Sequence, residues 1–182
     1  MNNSTPTPSY VILVDDCDQE IGIEEKLAAH QTGQLHRAFS IFVFRKKDST
    51  YELLLQQRNL QKYHSAGLWT NTCCSHPKPG EQLTTSAKNR LNEEMGIEVE
   101  LTEVGAFIYK ADVGNYLVEH EYDHVLVGFT DQSIININHD EAAAYRWVEI
   151  NSLVNELKSN PTQFTSWFKQ ALDIAINNLI ST

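Results

Sequence analysis

Two adjacent cysteines and a histidine occur in one short stretch of the sequence, NTCCSHPKPGEQ, at positions 71–82. A disulfide between Cys73 and Cys74 is a poor interpretation, because neighbouring side chains project apart and the S–S geometry is hard to close between them. Each thiol can instead be a metal ligand, a nucleophile or acid–base group, or a small buried apolar residue. His76 adds an imidazole that can bind a metal or transfer a proton.

More residues of metal-binding types lie elsewhere in the chain. His30 and His36 bracket the segment QTGQL, and the segment VEHEYDH carries Glu119 and Glu121. On a strand, these two carboxylates would point to one face and His120 to the other. With the histidine of the cysteine stretch, they form a mixed nitrogen and oxygen set that suits Mn²⁺, Mg²⁺ or Zn²⁺ better than a closed structural zinc site. Any single histidine is more often a surface or hydrogen-bonded imidazole, so the hypothesis rests on the whole set.

The segment SHPKPGEQLTTSAKNRLNEEMGI resembles the Nudix box, in which a loop leads into a helix whose acidic face holds a divalent cation against a diphosphate. The positions that fit are Glu81, Leu91, Glu93, Glu94, Gly96 and Ile97. Three positions depart from the box: Ser75, Asn89 and Arg90. Arg90 places a cation where the box has a carboxylate. Taken alone, the segment is better described as a solvated helix with an Arg90–Glu94 pair.

Four further strings make a resemblance specific: AAHQTGQLHRAFSIFVF, LLLQQR, LWTNTCCSHP and VEHEYDHVL, in this order. From about Leu13 to Phe168, the chain resembles type 1 isopentenyl diphosphate isomerase, an enzyme with the Nudix fold. That family carries an arginine at the position of Arg90, so the departure from the box favours the isomerase. The resemblance implies an α+β fold, a Nudix-like α/β/α sandwich with a mixed β-sheet.

The resemblance implies a reaction that moves a double bond and supplies isoprenoid precursors. Isopentenyl diphosphate is protonated at C4 of its C3=C4 bond, and a tertiary carbocation forms at C3. Loss of a proton from C2 then gives dimethylallyl diphosphate. This chemistry requires an acid and a base on either side of a flat hydrocarbon, in a dry pocket that does not quench the cation.

The catalytic roles also follow from the resemblance. Cys74 corresponds to the catalytic cysteine and Glu121 to the acid that faces it. Tyr109 corresponds to the tyrosine that hydrogen-bonds this acid, and Trp167 to the aromatic ring that faces the carbocation. We interpret Cys73 as a small buried residue. The sequence does not decide which group protonates C4; our assignment is Glu121 with Tyr109 at C4 and Cys74 as the base at C2.

Two ion sites and a diphosphate site are implied as well. One Mn²⁺, Zn²⁺ or Mg²⁺ would be held by His30, His36, His76, Glu119 and Glu121. A second ion, Mg²⁺, would be held against the diphosphate with the help of Glu94. The diphosphate-binding positions are Lys26, Arg58, Lys62 and Arg90. The chain departs from the family at Ser65-Ala66-Gly67, where many members have an aromatic-Pro-Gly turn, and in its short gap between His30 and His36.

The length and composition suit one domain with a real core. The chain has 182 residues, of which 41% are hydrophobic, and a formal net charge of −10. The acidic balance argues against a nucleic-acid partner, and it requires local cations or a metal wherever a phosphate ester binds. There is no membrane-spanning stretch, and the three cysteines, without a disulfide pattern, indicate the cytoplasm. We expect a disordered tail at 1–9 and a single monomeric domain at 10–182.

These residues need a sheet and helices to position them. Strands are predicted at 10–16, 21–23, 39–45, 51–58, 104–111, 124–130 and 145–150, with a hairpin over 39–58. Helices are predicted at 83–96, 151–160 and 161–180. We expect one of residues 84–86 to cap the first helix and Gly96 to end it. The last helix is expected to carry an apolar stripe that includes Phe164 and Trp167.

Two alternative functions stay open on the sequence. A Nudix hydrolase would use the box glutamates to activate a water molecule and would release phosphate; Arg90 argues against it because a ligand carboxylate is lost. A metal-stabilised binding module would use the histidines and glutamates structurally, so that Glu121→Gln would unfold it.

Overall fold

The strand β3 (His36–Lys47) is the centre of the protein, which we describe from a computed structural model. Its side chains alternate between two layers of helices. Phe39 and Ile41 belong to one core cluster and Phe42 and Phe44 to the other, and all four are fully buried. Helices therefore cover both faces of the sheet, and the predicted α/β/α sandwich is confirmed.

The structure describes residues 9–180, and its strands form one mixed sheet. The other strands are β1 (Tyr10–Val14), β2 (Glu20–Glu25), β4 (Thr50–Arg58), β5 (Trp69–Thr70), β6 (Cys73–Ser75), β7 (Thr102–Asp112), β8 (Val118–Phe129) and β9 (Ala142–Glu149). The strand β3 pairs with β1, β4, β6 and β8, while β2 lies beside β1, β7 beside β8, and β5 and β9 beside β4. Of the described strand pairs, β3–β8 is parallel and the others are antiparallel.

The strands β3 and β4 separate beyond the hairpin end, and β5 and β6 fill the gap between them. β6 pairs with β3 at residues 39–41, and β5 pairs with β4 at residues 56–57. Thr72 joins the two sides, because its hydroxyl donates to the Leu54 carbonyl at 2.7 Å and accepts from the Val43 amide at 2.9 Å. Strands this short show no alternation in sequence, so they were not predicted.

Four helices complete the described fold: α1 (Lys26–Thr32), α2 (Leu83–Met95), α3 (Ile150–Ser159) and α4 (Phe168–Ile180). The helix α2 packs on one face of the sheet through Ala87, Leu91 and Met95, and α3 and α4 pack on the other. The short helix α1 was not predicted from the sequence. It begins after Glu25, whose carboxylate accepts from the Ala28 amide at 2.9 Å.

Two details of the predicted helices are wrong. Residues 161–167 are not part of the last helix: a 3₁₀ turn spans Pro161–Gln163, and Phe164 is extended and bridges to Trp69. Pairing with β5 therefore overrides the local helical pattern. The α2 start also has no side-chain cap from residues 84–86, since the helix begins after Gln82 without a capping bond from its side chain. The predicted end at Gly96 is confirmed.

The predicted N-terminal tail at 1–9 lies outside the described residues except for Ser9. The carbonyl of Ser9 accepts a hydrogen bond from the Lys26 amide at 2.7 Å, which joins the start of β1 to the start of α1. Within residues 9–180, no helix is long and apolar enough to cross a membrane.

Gly96 provides a stability prediction because it combines a left-handed φ of 63° with a close approach to another segment. A Cβ there would lie 2.8 Å from the backbone oxygen of Asn136. Gly114 also has a positive φ, 81°, but a Cβ there would meet nothing within 4 Å. We expect Gly114→Ala to lower the free energy of unfolding by about 1 kcal/mol through backbone strain, and Gly96→Ala to lower it by a further ~1–3 kcal/mol through overpacking. Urea unfolding of both variants measures the difference, and equal losses would contradict this packing argument.

Candidate active site

A pocket opens on the sheet beside β6. The predicted site residues on its wall are Lys26, Arg58, Lys62, Cys74, His76, Arg90, Glu94, Glu119, Glu121 and Trp167. The remaining three, His30, His36 and Tyr109, lie just behind the wall in contact with residues on it. The structure therefore brings every predicted site residue to one place.

Glu121 is the most connected side chain of the site. The ladder pairs it with His36 on β3 and with Tyr109 on β7, so one row across three strands carries all three side chains. The Tyr109 hydroxyl donates to Glu121 Oε2 at 2.5 Å, and His76 Nε2 lies 2.8 Å from Glu121 Oε1. Burial alone would raise the pKa of Glu121, but the neighbouring rings of His36 and His76 lower that pKa well below its usual value.

The histidines behind the wall are oriented as metal ligands. His30 Nδ1 lies 2.6 Å from the Lys26 carbonyl, and His36 Nδ1 lies 2.8 Å from the Gln34 carbonyl. A carbonyl only accepts, so Nδ1 donates in both rings and each Nε2 keeps a free lone pair. Both Nε2 atoms are buried without a hydrogen-bond partner. Burial also lowers the pKa of His30, and it lowers that of His76 to about 3, which keeps both rings neutral as a metal requires.

The donor atoms of four residues fit one divalent ion. Ligand atoms of His30, His36, His76 and Glu121 all lie within 4.8 Å of one another. Three neutral imidazole nitrogens and one carboxylate oxygen suit Zn²⁺ or Mn²⁺. The orphaned imidazole nitrogens of the buried histidines are the observation that supports such an ion, because buried polar atoms are otherwise paired.

Glu119, the fifth predicted ligand, belongs to a neighbouring group. It shares the face of β8 with Glu121, as predicted, but its carboxylate groups with His30 and His64 rather than with the four-residue set. His64 Nε2 lies 3.3 Å from Glu119 Oε1. Burial and the charge of Glu121 raise the pKa of Glu119 well above its usual value. His120 points away as predicted, towards the carbonyl of Gly33 at 2.9 Å.

Four positive side chains line the pocket, although the chain as a whole is acidic. Lys26, Arg58, Lys62 and Arg90 all reach its wall. The predicted pairing of Arg90 with Glu94 is present, and Gln56 Nε2 donates to the other oxygen of Glu94 at 2.9 Å. This cluster of cations is the local field that a diphosphate requires in an acidic protein.

Two residues of the site were not identified from the sequence. Glu141 forms an ion pair with Lys62 and lies 3.5 Å from Arg90, so it holds two of the four cations. His64 lines the pocket from the segment between β4 and β5. Neither residue belongs to a helical or strand repeat, and only the three-dimensional arrangement connects them to the site. The only feature of the sequence that could have identified His64 as a site residue is its position between Lys62 and Gly67.

The adjacent cysteines lie on opposite faces of β6. Cys73 is fully buried in the core cluster that contains α2, which agrees with its interpretation as a small apolar residue. Cys74 faces the pocket, and its sulfur lies 3.9 Å from Arg58 Nη1. Burial raises the pKa of Cys74 to about 12 although Arg58 opposes the rise, so the free protein holds a thiol here. Trp167 completes this side, fixed by a bond from its indole N–H to Asn71 Oδ1 at 3.1 Å.

Comparison with known proteins agrees with this geometry. Residues 34–168 match the NUDIX domain family. The NUDIX domain of Shewanella oneidensis NrtR superposes with a TM-score of 0.62 at 13% identity, over 80% of this chain and 87% of that one. The protein therefore belongs to the NUDIX domain family, which accounts for its fold.

Two relatives narrow the assignment within that family. The isopentenyl-diphosphate Delta-isomerase of Photobacterium profundum is 46% identical over 173 residues, which cover 94% of this chain and 96% of that protein. The enzyme of the same name from Burkholderia multivorans is 51% identical over 158 residues, which cover 87% of this chain and 88% of that one. The chain is a member of the isopentenyl-diphosphate Delta-isomerase family.

The metal-ligand geometry predicts different effects for two matched substitutions. His36 and His120 each place Nδ1 against a backbone carbonyl, at 2.8 and 2.9 Å, but only His36 belongs to the four-residue set. An asparagine amide can keep the Nδ1 hydrogen bond and removes Nε2. We expect His36→Asn to weaken Zn²⁺ binding by about tenfold or more, since even a supporting residue contributes that much, and His120→Asn to leave it unchanged. Competition with a chromophoric chelator measures both, and equal affinities in the two variants would contradict the ligand assignment.

Proposed function

We propose that this chain converts isopentenyl diphosphate into dimethylallyl diphosphate, the reaction named for its relatives. The observation that carries the proposal is one pocket with two proton-transfer groups, Cys74 and the Tyr109–Glu121 pair, next to a cluster of four cations. A hydrolase needs a polarised water molecule, whereas these groups suit proton transfer to and from carbon.

In this proposal, Cys74 and the Tyr109–Glu121 pair share one proton. With the proton on the Glu121 side, Tyr109 and Glu121 deliver it to C4, and the Cys74 thiolate takes the proton from C2. In the substrate-free protein, Cys74 is a thiol and Glu121 is a carboxylate, so the shared proton lies on Cys74. This arrangement suits the reverse reaction. The proton must therefore pass back to Glu121 before the next forward turnover, and Arg58 beside the sulfur favours the thiolate that results.

The surroundings of this proton pair protect the carbocation. Trp167 is 3% exposed and lines the pocket, and Tyr109 packs 6.2 Å from its ring. An indole face stabilises a cation by about 0.5–2 kcal/mol in a desolvated site. The indole N–H bond to Asn71 keeps the ring in place.

The diphosphate and its ions account for the remaining residues. Lys26, Arg58, Lys62 and Arg90, which line the pocket, would bind the diphosphate, and Glu94 would help to hold Mg²⁺ there. When bound, Mg²⁺ supplies positive charge to the phosphate oxygens. The His/Glu set would hold a Zn²⁺, Mn²⁺ or Mg²⁺ ion and would thereby orient the Glu121 carboxylate.

We infer the remaining properties from the same considerations. The partner is a small-molecule diphosphate and not a nucleic acid, because the formal charge is −10 and four cationic side chains line the pocket. The three cysteines are free, which suits the reducing cytoplasm. We propose that the domain acts as a monomer, since every residue assigned to the reaction comes from one chain.

The reaction is tested in one NMR experiment on the purified protein with Mg²⁺ and isopentenyl diphosphate in D₂O. We expect dimethylallyl diphosphate with deuterium in a methyl group, because an exchangeable acid protonates C4. Release of inorganic phosphate instead would favour a hydrolase. No change in a folded sample loaded with metal would favour a binding module.

The two cysteines form a matched pair for the assignment of roles. We expect Cys74→Ala to stay folded and to lose turnover by about 10²–10⁴-fold, the usual contribution of a positioned acid–base group. Cys73→Ala should keep most of the turnover because this thiol lies in the core on the other face of the sheet. Steady-state assays compare the two, and thermal melts confirm folding. Equal loss at both positions would contradict the choice of Cys74.

A further inference from the structure

His64 is a buried imidazole to which the proposed reaction gives no task. It lies in the segment between β4 and β5, is 6% exposed, and lines the pocket. Its carbonyl accepts a hydrogen bond from Arg58 Nη2 at 3.3 Å, and its ring stacks on that of His30 with centroids 5.8 Å apart. The ring is therefore held between the diphosphate side of the pocket and the metal-binding histidines.

The contacts of the ring point to a ligand role. His64 Nε2 lies 3.3 Å from Glu119 Oε1, and ligand atoms of His30, His64 and Glu119 all lie within 4.8 Å of one another. Ligands about 2.1 Å from one ion are separated by about 3–4.2 Å, so these atoms are spaced for a common ion after small side-chain adjustments. His30 Nε2 is buried without a hydrogen-bond partner.

The two groups of potential ligands share His30 and therefore belong to one metal centre. Its Nδ1 is engaged with the Lys26 carbonyl at 2.6 Å, which leaves Nε2 as its ligand atom. One nitrogen lone pair binds one ion, so the four-residue set and the His30–His64–Glu119 group cannot each hold an ion through His30 at the same time. An ion bound to His30 would therefore have potential ligands from both groups nearby.

We propose that His64 is a ligand of the divalent ion in the His/Glu centre, on the side of Glu119. The centre then offers four imidazoles and two carboxylates: His30, His36, His64, His76, Glu119 and Glu121. Imidazole ligands favour Zn²⁺ and similar transition metals over Mg²⁺, which prefers oxygen. This inference rests on the metal centre of the proposed function and assigns it a ligand from the pocket loop, so ion binding also fixes that loop.

The test is Zn²⁺ binding to the full chain and to three variants. His64→Ala removes the ring, whereas His64→Gln keeps an N–H donor near Nε2 that can still hold Glu119. His139→Ala is the control, since His139 is exposed and outside both groups. We expect both His64 variants to bind Zn²⁺ about tenfold more weakly or worse and His139→Ala to match the wild type. X-ray absorption of the wild-type Zn²⁺ complex should show four imidazoles, and that of His64→Gln should show three.

Two results would overturn the inference. Wild-type affinity in His64→Gln would mean that His64 only positions Glu119, and three imidazoles in the wild-type spectrum would exclude it as a ligand even if no variant folds. Isomerisation is followed in the same wild-type samples. If the wild type isomerises the substrate and binds Zn²⁺ tightly, but the His64 variants bind Zn²⁺ equally well, only the ligand role of His64 is contradicted. A wild-type chain that neither binds Zn²⁺ nor isomerises the substrate would contradict the proposed function as well.

Discussion

The site depends on one buried carboxylate, that of Glu121. Removing a charge from water costs several kcal/mol unless the charge is paired and hydrogen-bonded, and Glu121 is 7% exposed. It is hydrogen-bonded to the hydroxyl of Tyr109 and the ring of His76, at 2.5 and 2.8 Å, and the ring of His36 lies 3.6 Å away. The same bonds orient the carboxylate towards the proposed ion on one side and leave Tyr109 as a proton donor on the other. The metal centre and the acid–base chemistry therefore share one residue.

The register of the strands β3, β7 and β8 places these side chains together. The parallel β3–β8 ladder places His36 opposite Glu121, and the antiparallel β7–β8 ladder places Tyr109 there too. A slip of one residue would turn Glu121 towards the α2 face of the sheet and bring a different row to the pocket. The register is secured by the residues that follow on β3, since Phe42 and Phe44 are fully buried beneath α4. The apolar core thus fixes the position of the polar site.

The sequence predicts the parts of the fold that repeat. The long strands alternate, and α2 has a clear stop at Gly96, so these elements were predicted, although β8 begins at Val118 and not at residue 124 as predicted. The metal and diphosphate residues were identified through a family resemblance, because their order along the chain shows no spacing rule. Residues 161–167 and the short strand β6 depend on contacts with distant segments, which no local pattern encodes. His64 and Glu141 were missed for the same reason, since each lies in a loop and acts on residues far along the chain.

The most direct test of this account is the isomerisation rate of Glu121→Gln, measured on protein whose thermal melt has been recorded. Glutamine has the shape of glutamate and can still accept from Tyr109, but it carries no charge and transfers no proton. The account predicts a folded protein that has lost turnover by about 10²–10⁴-fold. Near-normal turnover would contradict a proton-transfer role for Glu121. An unfolded variant would show that the carboxylate serves the fold, as in a metal-stabilised binding module.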